Sequence, residues 1–88
     1  MSERAFEIAW SPTARRSLAT LPEKVGTAVV EFVHGPLASN PKRVGKALRF
    51  GLAGLHSARR GDFRVVNRIT DRVTILAVEH RADVYRPR

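Results

Sequence analysis

The second half of the chain alternates between apolar and polar side chains with a period of two, and two short turn signals interrupt the alternation. Three segments follow this pattern, Leu55–Arg60, Phe63–Ile69 and Val73–His80, and their β-branched and aromatic content is typical of strands. They are separated by Gly61-Asp62 and by Thr70-Asp71. Because connections this short join only antiparallel neighbours, the sequence predicts an antiparallel meander.

The first half of the chain carries one strand pattern and two helix patterns. "FEIAW" (6–10) predicts a short strand. Ser11 is a suitable N-cap and Pro12 a suitable first helical residue, so the apolar spacing that follows predicts a helix over 12–20. A second helix is predicted from Pro22 to the "GP" at 35–36, which we expect to end it. Residues 35–47 have the composition of a loop.

The predicted fold is α+β, with the element order β-α-α-β-β-β. A helical hairpin packs on one face of a small, mainly antiparallel sheet, and the other face stays open to solvent or a ligand. The 88 residues fit a single domain spanning 1–88. The chain has no cysteine, no apolar run approaching the roughly 20 residues of a membrane span, and no signal-peptide pattern, so we expect a soluble, cytoplasmic protein.

The charge of the chain indicates an acidic partner. Sixteen Lys and Arg face eight Asp and Glu, which leaves a net charge of +8, and thirteen of the sixteen bases are Arg. Arginine favours planar, bidentate recognition of phosphate or carboxylate. Between Lys42 and Arg68 there are eight basic residues and one acid, Asp62. Nucleic acid is therefore a candidate partner, although basic surfaces also occur without a specific ligand.

Strand alternation places the arginines of Phe63–Ile69 on one face. Phe63 and Val65 alternate with Arg64 and Arg68, so the arginines are expected to line the open face of the sheet. Arg59 or Arg60 of the preceding strand can join them. A solvated sheet face is the simpler interpretation, but clustered like charges favour an anion-binding site.

The C-terminal stretch "EHRADVYRPR" (79–88) combines His80, Arg81 and Tyr85. It is either a structural tail or a set of groups able to transfer protons and neutralise charge during phosphodiester cleavage. His34 is expected at a helix end or interface, and His56 could face either side of the sheet. The sequence contains no HExxH motif, paired acidic cluster or phosphate-binding loop, so we expect catalysis, if present, to need no metal or other cofactor.

Several segments resemble the RelE-family toxins of the RelE/ParE superfamily over nearly the whole chain. They are "SPTARRSLATLP", "GKALR", "ARRGDFRVV" and "HRADVYR", and the last two are fairly specific to the superfamily. The spacing of "LPEKV", "VEFVHGPL" and "RVGKALR" is similar to that of mycobacterial RelE-like toxins. The resemblance implies a ribosome-dependent endoribonuclease that cuts mRNA in the ribosomal A site. It also implies a cognate RelB-like antitoxin, in a complex that binds its own promoter DNA.

The resemblance also implies roles for individual residues. Arg64 matches the arginine that stabilises the transition-state phosphate, and Tyr85 matches the tyrosine that orients or deprotonates the attacking 2′-OH. Arg81 and His80 fill the basic positions before it. Residues expected to hold mRNA and ribosomal RNA are Lys46, Arg49, Arg59, Arg60 and Arg68.

This chain departs from the family pattern at two places. "LHSA" (55–58) stands where well-studied members have lysines, so a lysine base has no counterpart there, and His56 or His80 could substitute. Asn67 stands where an aromatic residue is frequent. Two other functions stay open: a ParE-like inhibitor of DNA gyrase, which is not an enzyme, and a basic module that only binds nucleic acid.

Overall fold

The computed structural model describes residues 5–48 and 54–80. The described strands are β1 (Ile8–Trp10), β2 (Lys46–Ala47), β3 (Leu55–Arg60), β4 (Phe63–Ile69) and β5 (Val73–His80). The helices are α1 (Pro12–Ala19), α2 (Glu23–Phe32) and α3 (Pro41–Val44), and a π-helical turn, Val33–Leu37, follows α2 directly. None of the described helices is long and apolar enough to cross a membrane.

The described strands form one sheet in the order β1-β5-β4-β3-β2. The meander of β3, β4 and β5 is antiparallel, β2 adds an antiparallel edge, and β1 runs parallel to β5 at the opposite edge. The helices cover one face, which confirms the predicted α+β fold. The bounds of β3, β4 and β5 are also those predicted. Gly61 has a φ of 58°, a conformation that favours glycine in the tight β3–β4 turn.

Ser11 starts α1 and also ties it to the sheet. Its side-chain oxygen accepts a hydrogen bond from the Ala14 N–H (3.0 Å), as predicted for an N-cap. Its hydroxyl donates to the Leu76 carbonyl on β5 (3.1 Å), and its backbone N–H donates to the Ile75 carbonyl (2.9 Å). The chain therefore passes from β1 into α1 while anchored to the central part of β5.

The prediction that Gly35-Pro36 ends the second helix is wrong. The chain continues in helical conformation through the π-helical turn, with Pro36 inside it. A π turn lengthens the hydrogen-bonding step and so accommodates a proline that lacks an N–H. Val33 and Leu37 are fully buried, and this burial outweighs the local preference of the Gly-Pro pair.

The prediction that residues 35–47 form a loop is wrong. They contain the end of the π-helical turn, then α3, then β2. Pro41 occupies the first turn of α3 and is fully buried. Lys46 and Ala47 pair with Ser57 and His56 of β3, so the sheet gains a strand that the sequence pattern did not predict.

The described core lies between the helices and one face of the sheet. The helices and the π-helical turn contribute Ala14, Val29, Phe32, Val33 and Leu37. The sheet contributes Ala58, Phe63, Val65, Ile69, Val73, Ile75 and Val78. Phe32 and Phe63 meet edge to face with ring centroids 5.9 Å apart. One face of the sheet is thereby fixed as interior, which leaves the other face for a ligand.

Candidate anion-binding site on the open face of the sheet

The pairing register divides the side chains of β4 between the two faces. Phe63, Val65, Asn67 and Ile69 are buried toward the helices, whereas Arg64 and Arg68 are exposed. Residues directly opposite on neighbouring strands project to the same side, so each pairing partner of Arg64 and Arg68 also lies on the open face. The predicted orientation of these two arginines is confirmed.

Arg64 is the centre of a row of three charged residues across three strands. Its pairing partners are Arg59 on β3 and Glu79 on β5. Arg64 Nη1 lies 3.6 Å from Glu79 Oε1, and both side chains are 49% exposed. We call Arg59, Arg64 and Glu79 the Arg64 row. An ion pair this exposed contributes only about 0–1 kcal/mol to stability.

Further cations extend the positive charge across the open face. Two further rows of side chains on the open face follow the Arg64 row along the strands. Lys46 pairs with Ser57 in the first of these rows. Arg68 pairs with Leu55 and Thr74 in the second. We call Lys46, Arg59, Arg64 and Arg68 the basic face. Like charges on adjacent strands repel, and the partial neutralisation by Glu79 leaves an excess of positive charge. Such a surface suits a polyanion whose phosphates follow one another across the strands.

The structure separates Arg60 and His80 from Arg64. Both are directly opposite Phe63, which points toward the helices, so they belong to the covered side of the sheet. The guanidinium carbon of Arg60 lies 5.4 Å from the centre of the Phe32 ring. His80 lines a groove with Val25, Ala28 and other residues of that side. Of the two arginines expected to be able to join Arg64, Arg59 does so and Arg60 does not, because a one-residue step along a strand reverses the face. His80, expected in the same catalytic group as Arg64, lies on the opposite face from it.

The other two histidines also lie on the helix side. His56 pairs with the buried Asn67, and its Nδ1 lies 3.2 Å from the Gly54 carbonyl oxygen. His34, in the π-helical turn, accepts a hydrogen bond from Trp10 Nε1 (3.3 Å). As the chain has three histidines, none is available on the open face beside Arg64. Arg49, Arg81 and Tyr85, which complete the predicted site, lie outside the described residues.

Glu79 is the member of the Arg64 row that sequence reasoning missed. An uninterrupted register from the Ile69–Val73 pair would place Val78 opposite Arg64. A register shift between Val66 and Asn67 makes β5 longer by one residue and places Glu79 there instead. The only signal in the sequence was the position of an acid near the end of a strand.

In residues 5–48 and 54–80, no group of three or more His, Asp or Glu side chains could hold a metal ion.

Comparison with known proteins agrees with this architecture. Residues 8–85 match the family model of the ParE toxin of the type II toxin-antitoxin system parDE. Toxin RelE of Mycobacterium tuberculosis (strain ATCC 25618 / H37Rv) is 52% identical over 87 residues, which cover 96% of this chain and 90% of the relative. Toxin RelG of the same organism is 51% identical over 84 residues, covering 92% and 97%.

A solved structure shows the same fold at high identity. In the crystal structure of the toxin-antitoxin complex RelBE2 from Mycobacterium tuberculosis, one chain superposes with a TM-score of 0.85 and 49% identity, covering 90% of this chain and 94% of that chain. These matches identify the chain as a toxin of a type II toxin-antitoxin system. It belongs to the ParE toxin family, within the RelE/ParE superfamily, which confirms the resemblance stated above.

Proposed function

We propose that this chain is an mRNA endoribonuclease that acts on the ribosome and inhibits translation. The observation that carries the proposal is the Arg64 row, which faces solvent beside an excess of positive charge. Identity above 50% to two toxins named RelE and RelG supports the nuclease branch of the superfamily. The basic face is the surface we assign to mRNA and ribosomal RNA.

The proposed reaction is transesterification within the RNA chain. The ribose 2′-OH attacks the adjacent phosphorus, and the products carry a 2′,3′-cyclic phosphate and a 5′-OH. Negative charge develops on the phosphorane oxygens, and Arg64 and Arg59 are positioned to meet it with fixed guanidinium groups. Such preorganised donors supply a large part of the rate in comparable sites. Tyr85 and Arg81 keep the roles that the resemblance implies: Tyr85 orients or deprotonates the 2′-OH, and Arg81 fills a basic position before it in the sequence.

A cognate antitoxin completes the proposal. The relative in the solved complex is bound to its antitoxin, and a chain with a net charge of +8 associates fast with an acidic or amphipathic partner. We propose that a RelB-like antitoxin holds this toxin inactive and that the complex binds its own promoter DNA. Co-expression of the adjacent antitoxin should yield a stable complex and relieve growth arrest.

The second candidate function is inhibition of DNA gyrase without catalysis. The match to the ParE family model favours it, because members of one fold family need not share an activity. Primer extension on a cellular mRNA after brief induction separates the two candidates. A ribosome-dependent nuclease gives discrete cuts within the reading frame. A gyrase inhibitor gives uncut mRNA and broken DNA instead.

A further inference from the structure

The attacking 2′-OH must lose a proton, and the open face offers few groups to take it. Arginine has no acceptor site, and all three histidines lie on the helix side. Two described side chains in the Arg64 row and the row beside it can ionise besides the arginines. They are Glu79 and Lys46. A lysine ammonium has donors and no acceptor, and Lys46 lies on β2, two strands away from Arg64. Among the described side chains of these two rows, Glu79 is therefore the remaining acceptor.

Glu79 is also in the right place. It is directly opposite Arg64, with 3.6 Å between Oε1 and Nη1, a separation longer than a good hydrogen bond. Arg64 therefore keeps donors free for a phosphate while its partner stays beside it. A phosphate held by Arg64 brings the neighbouring ribose next to the Glu79 carboxylate, and the 49% exposure of that side chain leaves it open to substrate.

We propose that Glu79 is the general base of the cleavage reaction, an inference that rests on the nuclease function proposed above. Its carboxylate takes the proton of the 2′-OH as the 2′-oxygen forms its bond to phosphorus. The bond between phosphorus and the 5′-oxygen breaks, and the leaving oxygen takes a proton from solvent water. Glu79 then returns its proton to solvent. Arg64 and Arg59 neutralise the phosphorane.

A structural role for Glu79, as a counter-charge that merely holds Arg64, predicts different behaviour. In that case a truncated side chain would impair phosphate binding, and small carboxylates in solution would not restore the rate. A general base can be replaced by a soluble one if truncation leaves space, and the stronger base is then the more effective one. Chemical rescue therefore distinguishes the two roles.

The test is single-turnover cleavage of mRNA on purified ribosomes by saturating toxin, with sodium formate, acetate or chloride at equal ionic strength. Glu79→Ala should lower the rate by about 10²–10⁴; formate should restore part of it, acetate more, and chloride none. Glu79→Gln fills the space and should resist rescue. The control Glu31→Ala, on the exposed surface of α2, should cleave like the wild type in every buffer.

Two results would overturn the assignment of Glu79: a wild-type rate for Glu79→Ala, or a lowered rate that neither carboxylate restores. Either result can be interpreted only when the wild-type toxin cleaves mRNA in the same assay. Such a result would therefore contradict the role of Glu79 without contradicting the nuclease function. If the wild type itself leaves ribosome-bound mRNA intact, the proposed function fails, and the role of Glu79 fails with it.

Discussion

Arg64 and Glu79 face each other on the open side of the sheet because β5 contains one residue more than the β4 segment it pairs with. The irregularity lies between Val66 and Asn67 of β4, and Leu76 is the residue of β5 left without a partner. Without this irregularity, Val78 would lie opposite Arg64, and the side chains of β5 that follow Leu76 would exchange faces. A single backbone irregularity thus sets the charge pattern of the site.

Ser11 should stabilise this arrangement, because it both caps α1 and donates to the Leu76 carbonyl. Ser11→Ala removes both hydrogen bonds, and we expect the free energy of unfolding to fall by about 1–3 kcal/mol in urea titrations followed by circular dichroism. Ser17→Ala is the control, since Ser17 only bonds back to the Thr13 carbonyl within α1. It should change stability by less than about 0.5 kcal/mol. Equal losses for the two variants would contradict the bridging role.

The sequence predicted the meander well because its signals are local. Short turns of two and three residues and an alternating pattern define β3, β4 and β5, and the same alternation correctly assigned Arg64 and Arg68 to the open face. Ser11 and Pro12 likewise marked the start of α1. Each of these features depends on neighbours a few residues away, so tertiary context had little to override.

The features that the sequence did not predict depend on contacts between residues far apart in the chain. Burial of Val33 and Leu37 carries the helix past Gly35-Pro36, and β2 is too short to show a pattern before it pairs with β3. The irregularity that positions Glu79 lies in the pairing of β4 with β5, where Ser11 bonds to the Leu76 carbonyl, and neither feature is visible in the alternation. The pairing register also determines which of several adjacent basic side chains lie on the open face of the sheet.

Arg64 and Arg60 should behave in opposite ways, since they lie on opposite faces of the sheet. Arg64→Ala removes a cation from the phosphorane, so single-turnover cleavage on pre-bound ribosomes should slow by about 10²–10³ while stability changes by less than about 0.5 kcal/mol. Arg60→Ala loses its contact with the Phe32 ring. It should cost about 0.5–1 kcal/mol of stability and leave cleavage near the wild-type rate. The opposite pattern would place the active face on the helix side.

The basic face should bind the ribosome through phosphate contacts. Lys46→Ala and Arg68→Ala should each weaken binding and reduce the slope of log affinity against log salt by roughly 0.7–0.9. Filter binding to purified ribosomes across a salt series measures this slope. Lys24→Ala, on the groove of the helix side, is the matched control and should leave it unchanged. If Lys46→Ala and Arg68→Ala both have the wild-type slope, the open face does not contact the ribosome.

Asn67 should be replaceable by an apolar residue at no loss of stability. It is fully buried, its amide nitrogen donates to the Val65 carbonyl (3.2 Å), and its Oδ1 has no hydrogen-bond partner among the described residues. An unpaired buried acceptor is unfavourable, so Asn67→Val should raise the free energy of unfolding by about 1 kcal/mol. Asn67→Ala removes the same polar group but leaves space, and should be about 1.5 kcal/mol less stable than the valine variant. A valine variant less stable than wild type would show that the amide is needed.

The most direct test of the proposed nuclease is the chemistry of the RNA ends. Purified toxin is incubated with ribosomes stalled on a defined mRNA, and the fragments are analysed by mass spectrometry. We predict a cut in the A-site codon, a 2′,3′-cyclic phosphate on the upstream fragment and a 5′-OH on the downstream one, with both products nearly absent for Arg64→Ala. Intact mRNA with wild-type toxin, together with inhibition of DNA gyrase in a parallel supercoiling assay, would contradict the account.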